Sequence, residues 1–268
     1  MNRRGVSPLP RVISILSLAI ACHPADRTPV PPRPPISVRG ALGGVDTAGF
    51  ARATGPRHFA FPADHGPHPD FRSEWWYVTG QLDAGARRFG YQFTIFRQAL
   101  ASTAPPRTSA WATRQVYMGH LAITDVDSGR FLAFERLARD GLALGGARAG
   151  PFRVWVEDWT MAGQAADLFP LVIHARADGV ELAVTVGAGR GPVLQGDAGL
   201  SAKGPEPGNA SYYYSCTRLP TTGRLTIDGV AFDVAGTSWL DREWSTSALG
   251  ELEGWDWLAL HLSDGRDV

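Results

Sequence analysis

Glu74-Trp75-Trp76-Tyr77-Val78-Thr79-Gly80-Gln81-Leu82 has no helical period and reads as a strand with a period of two. One face carries Glu74, Trp76, Val78 and Leu82; the other carries Trp75, Tyr77, Thr79 and Gln81. Working outward, Phe89, Tyr91, Phe93, Ile95 and Arg97 alternate with Gly90, Gln92, Thr94 and Phe96 in the same manner. Similar segments follow at 116–124, 131–136, 152–159, 171–176 and 180–186, separated by turn signals such as Asp83-Ala84-Gly85, Asp127-Ser128-Gly129 and Asp178-Gly179. Asp228-Gly229 joins 225–227 to 230–232 as a tight hairpin. Many antiparallel strands with short turns predict an all-β chain. Alternating large aromatics favour a barrel whose interior is filled or holds one ligand. Residues 190–209, rich in Gly and Pro, read as a long loop, and helix is expected only in the leader.

Composition agrees. The chain has 268 residues, 44% hydrophobic and 19% charged, which suits a packed core. Its 26 basic and 26 acidic residues cancel, so the basic excess of a nucleic-acid binder is absent. The 31 Gly and 20 Pro scattered along the chain point to turns and strands. No nucleophile elbow, phosphate-binding loop or dinucleotide fingerprint is present.

The N-terminus reads as an address. Arg3, Arg4 and Arg11 precede the apolar run 12–21, too short to span a bilayer and ordered like a secretory signal. Ala19-Ile20-Ala21-Cys22 is similar to a bacterial lipobox, which would make Cys22 a lipidated N-terminus; an ordinary secretory signal is the alternative. Residues 24–35 form a stiff Pro-rich tether. The expectation is an exported periplasmic or cell-envelope lipoprotein of a bacterium, held at the membrane through its lipid. Removing residues 1–21 deletes three of the 26 basic residues and none of the 26 acidic ones, leaving a net charge of −3. Cys216 is then without an internal disulfide partner, and the core must hold the fold unaided.

Three stretches carry a family resemblance. They are residues 61–80, from Phe61-Pro62-Ala63-Asp64-His65-Gly66 to Glu74-Trp75-Trp76-Tyr77; Ser211-Tyr212-Tyr213-Tyr214-Ser215; and Trp239-Leu240-Asp241-Arg242-Glu243-Trp244-Ser245 with Gly254-Trp255-Asp256-Trp257. Together they resemble the lipocalin-like family of carotenoid 1,2-hydratases and AttH-type secreted proteins. The resemblance implies tandem lipocalin-like barrels, the second apparently truncated here. The expected organisation is a signal at 1–21, a linker at 22–57, a first domain at 58–236 and the start of a second at 237–268. It also implies water addition to an isoprenoid double bond. The alternative is non-catalytic binding or carriage of a hydrophobic small molecule at the membrane.

Two acids are candidates for that chemistry. Glu74 lies on the apolar face, where burial would raise its pKa and keep it protonated as a general acid; Arg97, in phase with its own apolar row, offers instead a buried ion pair. In the third motif, Trp239, Asp241 and Glu243 share one face, and Leu240, Arg242 and Trp244 the other. Two carboxylates two residues apart repel, so one can retain a proton near neutrality, and Asp241 is the preferred proton donor. Neighbouring indoles would stabilise a developing carbocation; a charged strand end anchored by Trp244 is the alternative. The resemblance implies His in this cluster, and Arg242 departs from it. Trp76, Arg97, Tyr213, Arg242, Trp244 and Trp257 are expected to shape or line the substrate cavity. Protonation and water addition need no cofactor, and no metal is expected, because Asp64, His65, His68 and Asp70 lie in a Pro- and Gly-rich loop without metal-site spacing. His120, on the face of Met118 and Ala122, reads as a core histidine.

Overall fold

The computed structural model describes residues 47–103, 108–246 and 257–268. The leader, Cys22 and the Pro-rich segment lie outside the described residues. Thirteen strands account for most of the rest, with two single-turn 3-10 segments. The strands are β1 (Ser73–Ala84), β2 (Arg87–Ala99), β3 (Gln115–Asp125), β4 (Arg130–Arg139), β5 (Gly145–Arg148), β6 (Arg153–Val156), β7 (Trp159–Gly163), β8 (Leu171–Ala177) and β9 (Val180–Val186). They continue with β10 (Pro192–Leu194), β11 (Leu200–Ala202), β12 (Ala210–Ile227) and β13 (Val230–Ser245).

All belong to one antiparallel sheet in the order β4-β3-β2-β1-β13-β12-β9-β8-β7-β6-β5, with β10 and β11 added beside β12. The sheet curls until its ends meet. Phe93 of β2 lies against Trp159 of β7 at 5.9 Å between rings, and the Arg136 guanidinium of β4 sits 4.7 Å over the same indole. The result is a nearly closed barrel whose inward rows are the ones the alternation selects. Trp76, Val78 and Leu82 of β1 and Phe89, Tyr91, Phe93 and Ile95 of β2 are buried, as are Leu121, Ile123, Val154, Met161, Ile173 and Leu182 across the barrel. Each such side chain contributes about 1.5–3 kcal/mol by leaving water.

Three local readings change. The segment 152–159 is two strands, with Glu157 at φ 57 in the turn between them. The expected loop at 190–209 contributes the short strands β10 and β11. The Asp228-Gly229 hairpin is the tip of a far longer one, since β12 and β13 pair from Ile227–Val230 back to Ser211–Ser245. Within it Gly236 passes so close to β1 that a Cβ there would collide with the Gln81 carbonyl oxygen. β13 runs unbroken through residue 237, with β1 on one side and β12 on the other. The described residues form one barrel. Residues 257–268 turn back as a small hairpin, Leu260 and Val268 exchanging backbone hydrogen bonds.

Candidate functional site

The two faces of β13 carry two different polar clusters. Register decides the division: Glu74 pairs with Trp244, Trp76 with Arg242 and Val78 with Leu240, so these face the interior together. Trp75 pairs with Glu243 and Tyr77 with Asp241, so these face outward.

The inward cluster sits at the end of the barrel where β1 begins, under the segment 57–72. Glu74 is fully buried and ion-paired on one oxygen with Arg97 and on the other with Arg242. Arg97 Nη2 also donates to the carbonyls of Phe71 at 2.7 Å and His68 at 2.9 Å, and Arg242 Nη2 to that of Gly66 at 2.6 Å. The Arg242 guanidinium lies 4.0 Å from the Trp76 ring centroid. His68 stacks on Trp244 at 3.7 Å with planes 5° apart, and its Nε2 is 3.0 Å from Asp64 Oδ1. Asp64 in turn accepts from Arg57 Nη2 at 2.9 Å. Trp76 Nε1 donates to the His65 carbonyl at 2.9 Å, and His65 Nδ1 lies 2.6 Å from the Tyr214 hydroxyl. The segment 57–72 is therefore a plug, fastened by the carbonyl acceptors it offers to two buried arginines.

This overturns the expectation of a protonated Glu74. Burial pushes its pKa up, but Arg242, Arg97 and the hydrogen bond with His68 outweigh burial and hold it well below the usual carboxylate range. It is a permanent carboxylate that neutralises buried guanidiniums. The alternative reading, a buried Glu74–Arg97 pair, describes the geometry, with Arg242 as a second partner that the sequence did not reveal. Trp76, Arg97, Arg242 and Trp244 belong to this packed cluster, away from the cleft described next.

The outward cluster lies beneath that cleft. Asp241 is only 2% exposed. Its Oδ1 accepts from Ser215 Oγ at 2.5 Å and from Trp239 Nε1 at 2.8 Å, and Gln195 Nε2 donates to Ser215 Oγ at 2.9 Å. Its Oδ2 is buried with no hydrogen-bond partner among the described residues. Burial raises the Asp241 pKa to about 6, against the pull of Ser215, Trp239 and the Tyr213 hydroxyl and with help from the Glu243 charge. The Ser215 and Trp239 donors converge on Oδ1, so a proton held by this acid resides on Oδ2. Glu243 accepts from Ser211 Oγ and pairs with Lys203 Nζ at 2.7 Å.

A cleft of about 710 Å³ opens beside this acid on the outside of β12 and β13. Tyr213, Trp239, Trp257 and Leu258 give it an apolar wall, and Gln195, Thr217 and Arg190 lie on its polar side. Trp257 meets Tyr77 edge-on at 4.9 Å and donates from Nε1 to the Tyr213 hydroxyl at 3.3 Å. Asp267 anchors the C-terminal hairpin, accepting from Thr217 Oγ1 at 2.7 Å and pairing with Arg218 Nε at 2.9 Å. Of the residues expected around a substrate, Tyr213 and Trp257 line the cleft and Asp241 lies one layer behind it. Asp241 is separated from Trp244 by the thickness of the sheet, and its indole neighbour is Trp239. Sequence reasoning missed Ser215 and Gln195, whose positions depend on strand register and not on any motif. His120 faces outward and contacts Glu135 Oε2 at 3.1 Å, so it is not a core residue.

Comparison with known proteins accords with this architecture. The crystal structure of an AttH protein from Nitrosomonas europaea superposes with a TM-score of 0.72 at 35% identity, over 81% of this chain and 65% of that one. Kievitone hydratase from Nectria haematococca superposes with a TM-score of 0.53 at 14% identity, over 74% of this chain and 55% of that one, and shares the fold. The match thus spans less than two thirds of either protein's length. No curated protein matches the chain. The profile of the AttH-like family covers residues 52–268, and the chain belongs to that lipocalin-like family.

Proposed function

We propose that this AttH-like chain serves an exported, membrane-tethered hydro-lyase that adds water to a lipophilic, isoprenoid-type substrate, or starts its rearrangement, by protonating a double bond. The observation that carries the reading is Asp241: a buried acid with its pKa raised to about 6 and its Oδ2 unpartnered among the described residues, directly behind an aromatic cleft. A general acid works best with a pKa near the operating pH. Once the substrate displaces the Tyr213–Trp257 wall that covers it, the Oδ2 proton passes to one alkene carbon, and the indoles of Trp239 and Trp257 stabilise the cation formed. Water then adds to the other carbon and returns a proton to the Asp241 carboxylate, so nothing is oxidised and no cofactor is required. The same fold carries a protein named as a hydratase.

One observation favours the second reading, carriage of a hydrophobic ligand without chemistry. Asp241 stands behind the cleft wall and not on it. Polyene binding by tryptophan quenching and hydration of the same polyenes separate the two in the full-length gene product. Turnover lost in Asp241→Asn with binding retained supports the hydro-lyase. Binding without turnover, unchanged in that variant, supports the carrier.

A further inference from the structure

We infer that the barrel end bearing Leu100, Trp111 and Leu142 rests on a lipid bilayer. These three side chains are 59%, 61% and 53% exposed, and Val126, Phe131 and Val230 at the opposite end are comparably so, which makes the position of the chain's entry and the flanking arginines the deciding features. The backbone stretches that carry them lie close together. Gly141 packs against the Trp111 backbone, where an added Cβ would lie 3.5 Å from Trp111 Cα, and Leu100 N donates to the Arg114 carbonyl at 2.7 Å. The turn that presents Leu142 is itself strained: Leu142 and Ala143 adopt φ 55 and φ 56, left-handed values that non-glycine residues avoid. Such strain persists where surrounding structure enforces it, and here it holds an exposed leucine outward. Arg114 and Arg139 flank the patch, while the Asp140 carboxylate is engaged by Thr113 Oγ1.

The occupant is indicated by where the chain comes from. The 46 residues that precede the described part include the apolar run 12–21 and Cys22. The first described residues, from 47 onward, lie at this same end, where Gly49 lies against the Ser102 side chain, two residues from Leu100, and Ala51 N donates to the Asp70 carbonyl at 2.9 Å. A tryptophan and two leucines flanked by arginines suit the headgroup and acyl boundary of a membrane with anionic lipid. The inference rests on the tethered reading for its occupant and its orientation. Its test is independent of whether the leader inserts.

In the full chain carrying Cys22→Ser, an environment-sensitive fluorophore is attached at Ala110→Cys or, at the opposite end of the barrel, at Ala231→Cys; buried Cys216 stays unlabelled. Both positions are exposed. With phosphatidylcholine vesicles containing phosphatidylglycerol, the label at 110 shifts to the blue and brightens while the label at 231 does not. Adding Trp111→Ser and Leu142→Ser to the first protein reduces vesicle affinity about tenfold or more. The charge reversal Arg139→Glu weakens binding to anionic vesicles and spares pure phosphatidylcholine. Three results overturn the inference: vesicle binding through the leader with the label at 110 unmoved, equal shifts of both labels, or a concentration-dependent shift at 110 without vesicles, which would identify a second copy as the occupant.

Discussion

Replacing Asp241 by Asn tests the environment on which the proposed chemistry depends. The Asp241 carboxyl has a folded pKa of about 6 against an ordinary 3.8. A raised carboxyl pKa means that folding favours the protonated form. The associated stability is complete below pH 3.8 and is lost as pH rises through 6. A difference of about two pH units corresponds to roughly 3 kcal/mol. Asn keeps an oxygen for Ser215 and Trp239 to donate to, and it cannot ionise. Its amide nitrogen, placed where Oδ2 finds no partner among the described residues, adds a penalty of about 1–3 kcal/mol that does not vary with pH. Relative to wild type, the variant therefore gains about 3 kcal/mol between about pH 4 and pH 7, whatever its stability at any single pH. Urea unfolding of both proteins across that range gives the difference directly. The wild-type curve alone would mislead, because His65 moves stability the opposite way over the same window. A difference that stays flat across that range would refute the buried, isolated acid and with it the proton donor.

Other expectations follow from the plug and the sheet. Burial lowers the His65 pKa from 6.5 to about 4, with the Arg242 charge assisting and Asp167 opposing; the stability due to its neutral ring is present above pH 6.5 and is lost as pH falls to about 4, by roughly 3 kcal/mol. Carbon-13 resonances of the ring should show it neutral at about pH 5.5, and an imidazolium at that pH would contradict the packing. Glu74→Gln leaves two buried guanidiniums without a counter-charge and should cost about 3–5 kcal/mol in urea unfolding; a loss below about 1 kcal/mol would mean that water or an anion reaches the plug. Gly236→Ala forces a methyl group into the Gln81 carbonyl and should lower the melting temperature by about ten degrees or more, or prevent folding; a wild-type melting curve would show that β1 and β13 are farther apart than described.

Much of the barrel was legible because alternation is a property of the strand itself. Glu74, Trp76, Val78 and Leu82, and every second residue of 89–97, enter the core whatever the strand pairs with, and the apolar rows identify that face. The same alternation places Asp241 and Trp244 on opposite faces in the sequence alone. It could not supply the charges around Glu74, because Arg242 comes from a strand 168 residues away and His68 from a plug with no period. The expected sign of the Glu74 pKa was wrong for that reason. Burial and the Arg97 pair were visible, and Arg242 and His68, which complete the balance against burial, were not.

The β12–β13 hairpin shows where sequence stops and tertiary structure begins. Counting back from Asp228-Gly229, an unbroken register would set Cys216 opposite Asp241. A bulge between Cys216 and Leu219, with Arg218 at φ 51, shifts the pairing by one and brings Ser215 there instead. That single step also turns Tyr212 and Tyr214 inward and Tyr213 out to the cleft, since a slip of one residue exchanges the faces of a strand. Side-chain period and turn chemistry are local, so the amino-acid sequence by itself determined the strands, their buried faces and the class of fold. The bulge, the arginine pair on Glu74 and the aromatic wall beside Asp241 depend on contacts between segments remote in sequence, whose energies exist only once the sheet has closed.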